Sequence, residues 1–92
     1  MSEVNQALSA VDDFRHIIHG YMGYDGETGG LVSKIMGLTI EVEELLHEPT
    51  KENIQEALAK AQICRDDCSY YASEAPDAWR QVNLVVATLE KL

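Results

Sequence analysis

Positive charge is what this chain has least of. Seven lysines and arginines stand against sixteen aspartates and glutamates in 92 residues, a formal charge of −9. Binding a nucleic acid or an anionic membrane requires basic side chains that neutralise phosphates, so this balance opposes direct binding of either. Long apolar runs are also missing. Nothing approaches the roughly 20 consecutive residues that a membrane-spanning helix needs. Met1 to Ala10 has neither the basic region nor the continuous apolar stretch of a signal peptide. With no secretory address expected, the two cysteines read as reduced thiols and the location as cytoplasmic. No segment alternates apolar and polar residues with the period of a strand.

What is present is helical. Hydrophobic residues make up 46% of the chain, enough for a globular core, and the length fits one domain, residues 1–92. From Val4 to His19, apolar residues recur in steps of three and four through Val4, Ala7, Val11, Phe14 and Ile18. Ser2 suits the N-cap of this helix and Gly20 its C-terminal stop. Leu31 to about His47 forms a second helix with two adjacent apolar stripes. One holds Leu31, Ile35, Leu38, Val42 and Leu45; the other holds Val32, Met36, Thr39 and Leu46. So wide a face is expected to be covered on two sides, by neighbouring helices or by a second chain. Gly37 would permit a close approach there.

The two prolines punctuate the rest. Pro49 separates the second helix from a third, capped by Thr50 and running from Lys51 to about Ser73. Pro76 suits the first position of a fourth, with Asp77 near its positive end. Short connections between the later helices require antiparallel neighbours. The expected fold is therefore all-α, a small antiparallel four-helix bundle with a glycine-rich loop between helices 1 and 2. That loop, Gly20 to Gly30, holds five of the six glycines and exceeds the roughly 2–8 residues such a connection needs.

Several residue groups point towards chemistry. Cys64 and Cys68 share one helical face and, with His16 and His19, could supply four zinc ligands. Both cysteines, however, fall on the apolar stripe, where a free thiol behaves as a small hydrophobe. GETGGLVSK precedes a helix as phosphate loops do, yet it lacks the Gly-Lys-Ser/Thr ending and a preceding strand, and carries Glu27. Glu41-x-x-Glu44, followed by Leu45, resembles the first metal-binding motif of the all-α nucleoside-triphosphate pyrophosphohydrolases. The resemblance implies a four-helix core, assembly into dimers or tetramers, and magnesium held by Glu41 and Glu44 with a Glu-x-x-Asp pair on the next helix. The chain departs from that pattern, since Asp67 has Cys64 and Asp66 has Ile63 where the glutamate should stand. A thiol is a poor magnesium ligand. No catalytic residue, metal or cofactor is expected.

The remaining signals are acids and aromatics. Glu41, Glu44 and Glu48 line the side of the second helix opposite its core stripes. The long loop adds Tyr21, Tyr24, Asp25 and Glu27, two amphipathic anchors beside two acids. These seven residues form the expected partner-binding set, and a host protein with a basic surface the expected partner. The expected function is a non-enzymatic interaction protein, a phage-type inhibitor of host defence (anti-CRISPR-like) or an antitoxin or immunity protein. A homo-oligomer is expected from the double stripe. The alternative is a nucleotide-binding bundle, distantly similar to the pyrophosphohydrolases, catalytically degenerate or acting by ligand capture.

Overall fold

The computed structural model describes residues 2–22 and 30–92. Among them are four helices and no strand: α1 (Glu3–His19), α2 (Leu31–Leu46), α3 (Lys51–Ser69) and α4 (Pro76–Glu90). Each helix packs on its neighbours in the order α1–α2–α3–α4–α1, which closes the ring of an up-and-down bundle. Ion pairs fix the direction of α3 against α2, since Lys34 meets Asp67 while Glu41 meets Lys60. The end of α1 meets the start of α4 through Tyr21 and Asp77, and mid-helix Ala10 meets Gln81, so that pair is antiparallel too. The glycine-rich loop lies largely outside the described residues.

Local chemistry sets the helix ends. Ser2 Oγ accepts from the Asn5 amide at 3.1 Å, and Thr50 Oγ1 from the Asn53 amide at 3.2 Å, each supplying an acceptor to an otherwise orphaned N–H. Pro76 opens α4, where its missing N–H is no loss. Gly20 does end α1, but in the right-handed region at φ −65°. Among the described residues the left-handed glycine is Gly30, φ +83°, which turns the chain into α2.

One boundary and one stripe differ from expectation. α3 stops at Ser69 rather than near Ser73, because Ser69 Oγ bonds back to the Asp66 carbonyl and Tyr71 N–H reaches Cys68 in a tight turn. The deep stripe of α2 is Val32, Ile35, Thr39, Val42 and Leu46. Thr39 can occupy it because its hydroxyl donates to the Met36 carbonyl at 2.6 Å. Leu31, Leu38 and Leu45 pack half-buried against the core, as does Met36. The ion pairs of Lys34 and Glu41 put the leucines on the flank of α2 beside α3, and the Arg15–Glu43 pair puts Met36 on the flank beside α1. On this helix Ile40 is the large apolar residue left exposed.

The core has one large centre. Phe14, 1% exposed, meets Thr39 and Val42 of α2, Ala61 and Cys64 of α3, and Val82 and Val85 of α4 around a void of only about 10 Å³. α3 buries nothing larger than cysteine there: Ala57, Ala61, Cys64 and Cys68. Small residues bring its backbone close enough for Phe14 to span the bundle.

Gly37, expected to admit a close neighbour, faces outward, and a Cβ built on it meets nothing within 4 Å. Gly37→Ala should therefore stabilise the protein by about 1 kcal/mol, from helix propensity alone. Thermal unfolding followed by circular dichroism should show a rise of about 4–8 °C. A fall in melting temperature, or a loss of sedimenting mass, would show instead that another chain packs on this face.

Candidate functional site

Two regions hold side chains that could engage a partner or ligand. The first is the outward face of α2. Glu41 and Glu44 are exposed there, one helical step of three apart, whereas Glu48, expected to continue their row, is exposed two residues past the helix end in the bend before Pro49. Glu41 lies 3.6 Å from Lys60, while neither Glu44 nor Glu48 has an ion-pair partner among the described residues. Glu43, by contrast, turns to the flank and pairs with Arg15, which also holds Asp12 at 2.9 Å. These two carboxylates raise the Arg15 pKa, Glu43 contributing most. This face therefore presents uncompensated negative charge on a rigid element.

The second region is a cavity of about 550 Å³ at one end of the bundle. α1 ends there with Ile18 and Tyr21, and α2 begins with Leu31, Val32 and Ile35. α3 ends there with Asp67, Cys68 and Tyr71, and α4 begins after Glu74 and Ala75 with Ala78 inward. The space has a local cause. Cys68, Ala75 and Ala78 are small, and the early end of α3 carries Tyr71 off its stripe to 40% exposure. At the opposite end Leu46 and Leu89 are buried with Ala7 and Ala57.

Polar groups in the cavity wall are few and mostly anionic. Tyr21 Oη donates to Asp77 Oδ1 at 2.7 Å, and the same oxygen accepts from the Ala78 amide at 2.9 Å. The phenol's hydrogen bond is the main reason the Asp77 pKa is lowered. Asp67 Oδ2 is buried and lacks a hydrogen-bond partner, although Lys34 Nζ lies 2.9 Å away as an ion pair. Burial pushes the Cys68 thiol up to about 11, with Asp67 adding to the effect, and the Cys64 thiol up to about 12. Both are therefore protonated at neutral pH and serve as apolar wall and core.

The expected site residues thus separate. Tyr21 is half-buried and tied to Asp77, at the end of the bundle core. Tyr24, Asp25 and Glu27 lie outside the described residues. Among the exposed aromatics described, the prominent one is Tyr70, 80% exposed beside Tyr71 in the α3–α4 turn, which the sequence reading passed over. The cavity has no sequence signal either, because its lining residues come from the ends of four different helices and nothing in their spacing shows that they meet.

The metal constellations do not assemble. Among the described residues no group of three or more His, Cys, Asp or Glu is placed to hold an ion. His16 is exposed and bonded to the Asp12 carbonyl, whereas both cysteines face the core. Asp67 pairs with α2 at Lys34, seven residues or about 10 Å along the helix from Glu41. Among the described residues no helix is long and apolar enough to cross a membrane. No protein-family model matches the chain, and no curated protein or solved structure matches it either.

The Tyr21–Asp77 bond makes a pH-dependent contribution of known sign. A carboxylate whose folded pKa is lowered stabilises the protein above its unfolded value near 3.9, and that contribution is lost as pH falls through the folded value. Tyr21→Phe should lower the melting temperature at pH 7 by about 2–4 °C, corresponding to about 0.5 kcal/mol for an exposed bond. The difference from wild type should shrink as pH falls through the lowered folded pKa of Asp77 and the charge-assisted part of the bond is lost. A difference unchanged across that fall would assign the tyrosine's contribution to packing alone.

Proposed function

We propose that this chain is a non-enzymatic binding protein that engages a basic surface of a host protein through the outward face of α2. The observation that carries the reading is the acidic group formed by Glu41 and Glu44 on α2 and Glu48 just past its end, all three exposed and two of them without an ion-pair partner among the described residues. Two carboxylates about 5–6 Å apart on one helix turn, Glu41 and Glu44, with a third just beyond the helix end, complement lysines and arginines and steer their approach. Occluding such a surface is how an inhibitor, antitoxin or immunity protein would act, with a phage-type inhibitor of host defence as the leading form. Exposed Ile40, on the same helix, supplies apolar contact beside the charge. Self-association is a separate proposal. The apolar residues of α2 that lie off its deep stripe, Leu31, Met36, Leu38 and Leu45, pack half-buried within the chain, and docking through α2 does not require a second copy.

Two measurements test this reading. Immobilised protein should retain a basic partner from host lysate at low salt and release it by about 0.5 M NaCl, where the Debye length is only a few ångströms. The variant carrying Glu41→Gln, Glu44→Gln and Glu48→Gln should lose that capture. A control carrying Asp13→Asn, Glu56→Gln and Glu90→Gln removes three exposed acids elsewhere, so both variants move from −9 to −6, and the control should retain it. Equal loss in both variants would reduce the effect to net charge and remove α2 from the argument.

The nucleotide alternative makes the opposite demand on Glu44. Under the docking reading, purified protein with Mg²⁺ releases no pyrophosphate from any nucleoside triphosphate. Turnover that is abolished by Glu44→Gln would replace docking with catalysis at a site completed by groups outside the described residues.

A further inference from the structure

The cavity at the bundle end carries an inference that goes beyond docking through α2. Its volume of about 550 Å³ falls within the 300–1,000 Å³ range of small-molecule sites, while the void around Phe14 is about 10 Å³. Close packing elsewhere makes this a built space rather than general looseness. Its walls are chiefly Ile18, Val32, Ile35, Cys68 and Ala78, with the rings of Tyr21 and Tyr71. Among the described residues, the ionisable groups that line it besides the tyrosines and the thiol are the carboxyls of Asp67 and Glu74.

Asp67 decides the ligand's chemistry. Its side chain is 18% exposed, and its Oδ2 is fully buried without a hydrogen bond. Lys34 answers its charge from a side chain that is 55% exposed. A buried carboxylate is thus paired with a cation that is largely solvated and poorly aligned for hydrogen bonding. Such an oxygen gains more from a donor pointed at it than from the present ion pair. Tyrosine faces favour cations as well. Anionic ligands, nucleotides included, would meet two carboxyls and, among the described lining residues, no cation, with Lys34 beside Asp67.

We propose that this cavity binds a small organic cation, an amine or guanidinium on an apolar body. The charged end takes the place of Lys34 at Asp67 Oδ2, and the apolar body fills the space between Val32, Ile35, Cys68 and Ala78. The protonated thiol of Cys68 acts as apolar wall and forms no bond with the ligand.

Three fluorescent probes of similar size test the proposal: dansylcadaverine carries a primary amine, dansylamide no charge, and dansylglycine a carboxylate. Titrations at 0.15 M and 0.5 M NaCl separate a local contact from the attraction of an acidic protein for any cation. Dansylcadaverine should bind one-to-one with a blue-shifted emission, at least tenfold tighter than dansylamide at the higher salt, and dansylglycine should bind weakest. Methyl resonances of Val32, Ile35 and Ala78 should shift on titration. Asp67→Asn should reduce dansylcadaverine to the affinity of the neutral probe. Lys34→Gln, a change at a largely exposed side chain, should tighten it severalfold by removing the competing cation, and this arm stands even if Asp67→Asn does not fold. The α2 triple variant should leave probe affinity within twofold at 0.5 M NaCl, so loss of docking and loss of the cavity site are read separately. The proposal is overturned if no probe saturates, if amine and neutral probes bind alike, if those methyls do not move, or if Lys34→Gln leaves affinity unchanged or weaker.

Discussion

The bundle is organised by the disparity between Phe14 and the side chains that receive it. One aromatic ring from α1 reaches all three other helices, and it can do so because α3 offers only alanine and cysteine along its buried face. Small residues give up hydrophobic area of their own, since burying an alanine methyl contributes far less than burying a leucine. What they provide is proximity. The ring then buries its full surface, and α2 and α4 close against it with valines whose branched side chains have few rotamers to lose. Cys64 belongs to this layer. Its thiol, raised to about 12, is part of the packing that lets α3 approach, and it is withheld from redox or metal chemistry by the same burial.

From that layer the two ends diverge. Towards one end the helices carry Leu46 and Leu89, large enough to fill the space between them. Towards the other they carry Cys68, Ala75 and Ala78, and α3 stops before Tyr71 can turn inward. Native cores seldom leave so much space, because each lost contact forfeits dispersion energy. The end is instead held together at its perimeter. Tyr21 fastens α1 to the first turn of α4 through Asp77, whose negative charge also suits the positive end of that helix, and Lys34 fastens α2 to α3 through Asp67. A cavity bounded by polar ties on two sides is more easily held open than one bounded by apolar contacts alone.

Sequence periodicity reads helices well because burial repeats every 3.6 residues, and the caps Ser2 and Thr50 and the break at Pro76 each have a local cause. α2 shows where that reasoning stops. Its apolar residues cover more than half the helix, so the pattern alone cannot say which stripe points deepest. Neighbours α1 and α3 decide that together, and the answer puts Thr39 inward and Leu38 on the flank. The acidic face of α2 was legible for the complementary reason, since a carboxylate is excluded from the interior unless paired. The cavity was not. It depends on Ala75 and Ala78 meeting Val32 and Ile35 across the bundle end, and no spacing along the chain encodes a meeting between helices so far apart in sequence.

Charge connects the two regions without merging them. A net charge of −9 destabilises any compact chain through self-repulsion, so each acid in the interior or at a seam has to be answered locally. Glu43 and Asp67 are answered, by Arg15 and Lys34, at the flanks of α2. Glu44 and Glu48 are not, and they lie where water screens them. With so few basic residues available, the chain commits Arg15, Lys34 and Lys60 to seams between helices and leaves the outward face of α2 unneutralised. The seam pairs hold α2 in fixed rotation against both neighbours, and that rotation is what keeps Glu41 and Glu44 on its outward side, with Glu48 exposed past the helix end. The scarcity of positive charge therefore shapes the surface twice: it determines which helix flanks are joined, and it leaves Glu44 and Glu48 without an ion-pair partner among the described residues.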